Sequence, residues 1–323
     1  MKVALLIDRE TFNKYANWND TGWELTFIDT RSYGLAEVTS TSADVLIIGP
    51  ATVIVPELFE NMPELKLIHS QAVAYHNIDL ELARKAGVYV CNAAGTNADP
   101  VAEQTVLLML ALIKNFRNNE DNMYATQRSA GAPAYFGRGV RELKGLNVGI
   151  VGFGAIGRGV AARLEPFGCM LHYFDALGDQ HVDNAKFLPL EELYACSDII
   201  SLHAPVTPET TNMINEKSLK LFKRGAILIN TARGLLMDHD AVVEALKSGQ
   251  LGGLGADTLE PEPVTPDNPI IRDLPEELRK NVALSPHVGG ITDGAFIRAY
   301  ECVKANIEAV AAGQRPKFIV NGL

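Results

Sequence analysis

Short apolar runs, each bounded by polar or turn-forming residues, recur along this chain from its first residues. Val3–Ile7, Leu25–Ile28, Val45–Ile48, Leu67–Ile68 and Val88–Cys91 read as strands. Between them, Pro56–Asn61 and Leu80–Ala86 carry helical spacing, the second stopped by Gly87. Strands alternating with helices predict a parallel, doubly wound sheet. A long amphipathic helix follows from Pro100 (PVAEQTVLLMLALIKNFR), read as a bridge to a second domain. Residues Asn118 to Lys144 are small, polar and glycine-rich around Tyr135 and Phe136, which predicts a projecting arm or loop. A second series then begins: NVGIV, MLHYF, a weak strand near Lys186–Leu188, DIISLH, GAILIN, GGLGAD and NVALSP. A final helix, Phe296 to Ala312, is expected to pack back on the first domain. The expected division is therefore a discontinuous domain, 1–98 with 288–323, and a continuous one, 99–287.

The second series opens on Gly152-x-Gly154-x-x-Gly157, placed between a strand (NVGIV) and a helix starting with Ala155 and Ile156. That context is what a dinucleotide-binding fingerprint requires. Gly152 permits the tight turn, Gly154 lets backbone approach a pyrophosphate, and Gly157 lets helix and strand pack closely. The helix N-terminus then presents N–H groups and a positive dipole end to phosphate. The next strand, MLHYF, ends at Asp175, an acid placed to accept hydrogen bonds from ribose hydroxyls and to repel a 2′-phosphate. No arginine follows in DALGDQ, so NAD is expected in preference to NADP. The bland alternative is a glycine-shaped turn with no ligand, but strand, helix and acid together favour the nucleotide.

Composition narrows the classes. At 323 residues two domains are expected, and 47% hydrophobic content suffices for two cores. A net charge of −10 disfavours nucleic acid or an anionic membrane as the main partner. MKVALLIDRE meets charge too early for a signal peptide and reads as a first strand. The longest apolar stretch, Val106 to Ile113, is too short to span a bilayer. Cys91, Cys169, Cys196 and Cys302 are scattered, as expected of reduced cysteines in a cytoplasmic protein. The histidines show no ligand spacing, and no metal site is expected.

Three further motifs each follow a predicted strand, the end that faces the ligand crevice of an open α/β sheet. Arg233 in NTARG offers a guanidinium fork that can hold a carboxylate bidentately. His287 in SPHVGG supplies an imidazole whose ordinary titration range suits proton exchange near neutrality. Glu262 in DTLEPEP, between Pro261 and Pro263, could orient that imidazole from its other nitrogen and favour its charged form. Taken singly, each has an ordinary reading: a turn arginine, a loop histidine, a solvated acid.

Taken together they resemble the D-isomer-specific 2-hydroxyacid dehydrogenase family, whose members include hydroxypyruvate/glyoxylate reductases and phosphoglycerate dehydrogenases. The resemblance runs through NADPVAEQT, LKGLNVGIVGFGAIGR, SLHAPVTPET, INTARGLLMD, GLGADTLEPEP and SPHVGG. It implies a Rossmann cofactor domain, a smaller flavodoxin-like substrate domain and NAD as cofactor. It implies catalytic roles for Arg233, Glu262 and His287, and a nicotinamide-facing acid at Asp257. His203, Ala204 and Pro205 match the loop over the adenosine side, while Thr231, Ala232 and Gly289 complete the implied cofactor contacts. The implied reaction is reduction of a small 2-oxo acid to the D-2-hydroxy acid, and the reverse. Arg233 would bind the carboxylate and polarise the carbonyl, with His287 as general acid and base and Glu262 as its partner. A homodimer through the cofactor domains is implied as well.

The substrate loop departs from that pattern. Where many relatives carry G-x-G before an Asp-Asn-Ile-Asp run, this chain reads Ala72-Val73-Ala74-Tyr75-His76-Asn77-Ile78-Asp79. Alanine still offers N–H groups to a carboxylate but restricts backbone angles. No cluster of Arg or Lys stands there for a phosphate, so a small unphosphorylated acid such as glyoxylate, hydroxypyruvate, pyruvate or a branched analogue is expected. Two other functions remain open: an NAD(H)-sensing, co-repressor-like binding protein, and a same-fold dehydrogenase of a substrate such as phosphite. Formate dehydrogenases of this fold pair the histidine with glutamine, whereas position 262 is an acid.

Overall fold

The computed structural model describes residues 1–29, 33–126 and 140–323. The chain forms two compact units, Met1–Asn97 with Ile291–Leu323, and Ala98–Gly290. In the first, β1 (Lys2–Leu6), β2 (Glu24–Phe27), β3 (Val45–Ile48), β4 (Leu67–Ser70) and β5 (Tyr89–Cys91) form a parallel sheet in the order β2-β1-β3-β4-β5. β3 and β4 are buried along their whole length; β3 runs continuously apolar rather than alternating, and β4 opens with the apolar pair Leu67–Ile68. The edge strand β2 alternates exposed and half-buried positions. Helices α1 (Arg9–Tyr15), α2 (Leu35–Ser40), α3 (Glu57–Asn61) and α4 (Leu80–Lys85) connect the strands.

Two of these helices carry no readable period, and the sequence does not predict them. α1 buries only Phe12 and starts because the Asp8 carboxylate accepts from the Thr11 N–H at 2.7 Å. α2 buries only Val38. With one anchor each, neither leaves an apolar stripe along the chain. β4 likewise extends past the apolar pair Leu67–Ile68 into His69 and Ser70, both fully buried. His69 belongs there as a neutral imidazole: Nδ1 donates to the Ser70 carbonyl at 2.7 Å and Nε2 accepts from Asn306 at 2.9 Å. Burial pushes its pKa down to about 4, which keeps the proton count that this pairing needs.

The second unit contains α5 (Ala98–Ile113), α6 (Phe116–Thr126), β6 (Asn147–Val151), α7 (Ala155–Leu164), β7 (Met170–Phe174), β8 (Lys186–Phe187), α8 (Leu190–Cys196), β9 (Ile199–Leu202), α9 (Glu216–Leu219), β10 (Ala226–Asn230), α10 (His239–Lys247), β11 (Leu251–Ala256), α11 (Pro269–Arg272) and β12 (Val282–Leu284). All the predicted segments from NVGIV to NVALSP join one parallel sheet, in the order β12-β11-β10-β9-β6-β7-β8. Strand order reverses at β6, which pairs with β7 on one side and β9 on the other. Open α/β sheets bind ligands at such a point, outside the carboxyl ends of the strands.

α5 is less a two-faced bridge than a core helix of this unit. Ala102, Thr105, Leu108, Met109 and Ile113 are all buried, and the helix lies against α7 and the strands β10–β12. Gly255 on β11 admits it closely, since a Cβ there would sit 3.0 Å from that of Leu108. The segment expected to begin an arm at Asn118 is instead helical through Thr126. Its sequence FRNNEDNMYAT shows no buried residue among those described, so no apolar period announced it. The expected arm aromatics Tyr135 and Phe136 lie outside the described residues.

The last helix, α12 (Asp293–Ala311), belongs to the first unit. It starts earlier than its apolar period predicts because Thr292 caps it, accepting from the Ala295 N–H. Tyr300, Val303 and Ile307 pack into the apolar layer that contains Phe12 and Trp18. Among the described residues, no helix is long and apolar enough to cross a membrane.

Candidate active site

The glycine turn lies where the order of the second sheet reverses. Gly152 adopts φ +91°, and a Cβ there would stand 2.6 Å from the carbonyl carbon of His203 and 2.7 Å from the Ala204 nitrogen. The His203–Ala204 backbone thus presses against the turn, and only glycine fits. A Cβ on Gly157 would overlap the Gly152 carbonyl oxygen, so helix α7 can approach β6 only without a side chain there. Gly154 differs: a methyl at that position would meet no protein atom within 4 Å. Gly154 is also the N-cap of α7 and leaves the first turn, at Ala155 and Ile156, without a side-chain cap. Open space before uncapped N–H groups at a positive dipole end fits a pyrophosphate.

Asp175 follows β7 and braces the same turn, accepting from the Phe153 N–H at 2.7 Å and the Leu177 N–H at 2.9 Å. A carboxylate has lone pairs beyond these two, enough to accept from ribose hydroxyls. On the other side of the turn, His203 pairs its Nε2 with Ser201 Oγ at 2.8 Å, while Nδ1 is shielded and has no partner among the described residues. Burial pushes its pKa down to about 3, so the ring is neutral. Ala204 is buried and Pro205 exposed. The residues present therefore fit a dinucleotide.

This arrangement makes Gly154→Ala a direct probe of the ligand. The added methyl should leave the melting temperature unchanged, since it touches no protein atom. Overpacking against a bound pyrophosphate costs about 1–3 kcal/mol, which is roughly 5- to 150-fold weaker NADH binding in a fluorescence titration. Unchanged affinity would mean that the cofactor does not pass over this glycine.

The three chemical residues stand at the carboxyl ends of adjacent strands. At the end of β10, the fully buried Asn230 closes the turn by donating to the Arg233 carbonyl at 2.8 Å and accepting from the Ala232 N–H at 3.0 Å. Thr231 is buried, its hydroxyl 2.8 Å from that of Thr105. Arg233 is thereby turned outward; its exposed guanidinium donates to the Ala232 carbonyl and forms no ion pair among the described residues. A side chain on Gly234 would overlap the backbone at Leu259 and Glu260, which places the arginine turn against the loop that leads to Glu262. That loop is tied down by Asn268, which donates to the Glu260 carbonyl at 2.7 Å.

His287 follows β12 in the left-handed region, φ +54°, unusual for a residue with a side chain. Its Nδ1 lies 2.9 and 3.0 Å from the two oxygens of Glu262. Both side chains remain partly open to solvent, at 47% and 36%, so the pair is reachable by a substrate. Nε2 makes no hydrogen bond among the described residues.

Asp257, expected to face the nicotinamide, has both oxygens engaged by the histidine loop. Oδ1 accepts from Ser285 Oγ at 2.5 Å and the Val288 N–H at 3.1 Å, and Oδ2 accepts from the Gly289 N–H at 2.9 Å. Gly289 is buried against this carboxylate, with room for no side chain. The sequence reading missed Gln104, Asn230, Asn268 and Ser285. Their only signal was a polar residue beside or within an apolar run, which has many ordinary explanations.

The loop Ala72-Val73-Ala74 belongs to the first unit. Its carbonyls are all occupied: Ala72 by the Ala93 N–H, Val73 by Asn92 Nδ2 at 2.8 Å, and Ala74 by Ser70 Oγ at 2.7 Å. The N–H groups of Val73 and Ala74 find no acceptor among the described residues. A loop so tied leaves two N–H donors without an acceptor among the described residues, which suits an anion. Asn92 and Ser70, which hold it, were not foreseen.

Residues 106–289 match the family described as D-isomer specific 2-hydroxyacid dehydrogenase, NAD binding domain. The chain is 40% identical over 275 residues to a glyoxylate reductase of Thermococcus litoralis, covering 82% of this chain and 80% of that protein. Its fold superimposes on a D-2-hydroxyisocaproate dehydrogenase with a TM-score of 0.85, at 27% identity over the full length of both chains. A D-lactate dehydrogenase from Lactobacillus jensenii, solved with NAD+, gives 0.82 at 25% identity and 99% coverage of each. With two parallel α/β sheets, a fitted dinucleotide turn and these relatives, the chain belongs to the D-isomer specific 2-hydroxyacid dehydrogenase family and is an NAD-dependent oxidoreductase.

Proposed function

We propose that this protein interconverts a small 2-oxo acid and the D-2-hydroxy acid, with glyoxylate the first candidate and Arg233, Glu262 and His287 as its catalytic residues. The observation that carries the reading is the ring held at Nδ1 by both Glu262 oxygens, with no hydrogen bond at Nε2 among the described residues. Bound NADH supplies the hydride equivalent for the carbonyl carbon. His287 gives its Nε2 proton to the carbonyl oxygen, and in the reverse direction takes it back. Glu262 fixes the ring and offsets its positive charge while the proton is held. Arg233, which forms no ion pair among the described residues, is available to a carboxylate on the substrate and to the oxygen on which charge develops. In the first unit, the N–H groups of Val73 and Ala74, without an acceptor among the described residues, are donors of the kind a carboxylate binds. The same reading includes a homodimer and a cytoplasmic location.

The test is loss of NADH absorbance with glyoxylate, hydroxypyruvate, pyruvate and a branched 2-oxo acid, each repeated with NADPH. One acid is expected to turn over well above the others, with NADH preferred because of Asp175. Phosphite and formate, offered with NAD+, test the same-fold alternatives; an acid rather than glutamine beside His287 speaks against formate. Tight NADH binding with no turnover of any of these would move the assignment to a sensor.

A further inference from the structure

We propose that Gln104 on α5 and Ser285 after β12 form a donor relay that fixes Asp257 and, through it, the backbone at His287. Both are thereby positioning residues for proton transfer. The proposal rests on the reading of His287 as the acid.

The direction of the relay follows from donor counting. Ser285 Oγ lies 2.5 Å from Asp257 Oδ1 and 2.8 Å from Gln104 Nε2. A carboxylate only accepts, so the single hydroxyl proton of Ser285 goes to Asp257. Ser285 Oγ must then accept from its other neighbour, which requires the amide nitrogen of Gln104 on that side. The two backbone N–H groups of Val288 and Gly289 complete the donors on this carboxylate. Beyond its side chain, Asp257 also accepts the His287 N–H on its own carbonyl at 2.7 Å. Four hydrogen bonds from one residue thus span positions 285 to 289.

That density of bonds has a purpose at His287. A side-chain-bearing residue in the left-handed region is strained and persists only where its surroundings over-determine it. The ring must also point so that Nδ1 meets Glu262, and Nε2 then faces away from that pair. Gln104 contributes bulk as well as a donor: a Cβ on Gly289 would sit 3.0 Å from Gln104 Cγ and 2.8 Å from Asp257 Oδ2. The amide stem therefore closes the far side of the loop. Loss of the Gln104 donor leaves Ser285 Oγ free to turn; loss of the Ser285 hydroxyl leaves Asp257 Oδ1 with the Val288 N–H alone.

The test compares Ser285→Ala, Ser285→Thr, Gln104→Met and the double variant Gln104→Met/Ser285→Ala. Readouts are kcat with the best 2-oxo acid, NADH affinity by fluorescence, and hydrogen exchange of the peptide covering 285–290. Ser285→Ala is expected to lower kcat about tenfold and Gln104→Met about fivefold, with NADH affinity held within about twofold. Because Gln104 acts through Ser285, the double variant should be no slower than Ser285→Ala alone. Ser285→Thr, which keeps the hydroxyl, should recover most of the activity. Exchange should quicken at 285–290 in the alanine and methionine variants and nowhere else. Independent, multiplying effects, or a threonine variant as slow as the alanine one, would overturn the relay. If Ser285→Ala fails to fold, Gln104→Met decides by the same two readouts, and unchanged kcat and exchange in it would refute the proposal. His287→Gln in parallel separates the two readings: full activity there removes the acid, while the exchange data still judge the relay.

Discussion

His287→Ala is expected to lower kcat for the preferred 2-oxo acid by about 10²–10⁴-fold, the range for loss of a positioned general acid. NADH affinity should stay nearly intact, because the glycine turn, Asp175 and the His203 loop do not depend on the imidazole. The left-handed backbone at 287 is held by the Asp257 carbonyl and by bonds at 285, 288 and 289, none of which uses the ring. Alanine at this φ retains some strain, so thermal melting should accompany the kinetics to show that the loop survives. Steady-state rates with NADH, and binding by fluorescence, decide the matter. Retention of more than about a tenth of the activity would mean that another group supplies the proton. The partner makes a companion reading possible. Glu262 holds Nδ1 through both oxygens, so its loss should act on the same proton and not on cofactor binding.

The second large effect is expected at Arg233. Arg233→Lys keeps the charge but replaces a planar fork with a single ammonium. Loss of one preorganised donor to developing charge typically costs about 10²–10³-fold in kcat, and kcat/KM for the 2-oxo acid should fall by at least that much. The substitution is structurally mild: the side chain is exposed, forms no ion pair among the described residues, and leaves the turn to Asn230. A drop in kcat/KM with an unchanged melting temperature would therefore report on substrate. Partial recovery of Arg233→Ala by added guanidinium would identify the missing group. Wild-type kcat and KM in Arg233→Lys would show that the arginine serves only the surface.

The two residues became candidates in the same way, and that likeness shows what a sequence can carry. Arg233 and His287 were legible because each follows an apolar strand and precedes glycine, a purely local signal. The dinucleotide turn was legible for the same reason: Gly152, Gly154 and Gly157 sit between strand and helix periods a few residues long. Buried parallel strands were legible as unbroken apolar runs, which is why the sheet architecture could be read. Helices α1 and α2 were not, since each is anchored by one buried side chain and a cap or a turn. α6 was not, since none of its described residues is buried.

What determined the working geometry was out of reach for a different reason. Gln104 meets Ser285 across 181 positions, Ser285 meets Asp257 across 28, and His69 meets Asn306 across 237. Hydrogen bonds of that span have no period and no preferred spacing, because the chain between the partners can take any path. The sequence by itself thus determined the layered α/β class, the dinucleotide turn and the chemical types at 233, 262 and 287. Only the tertiary structure decided which buried polar residues stand beside them, that both Asp257 oxygens bind the His287 loop, and that the carbonyls of the Ala72–Ala74 loop are all occupied. Local chemistry is written in neighbours along the chain, whereas orientation depends on donors and acceptors that only folding brings within reach.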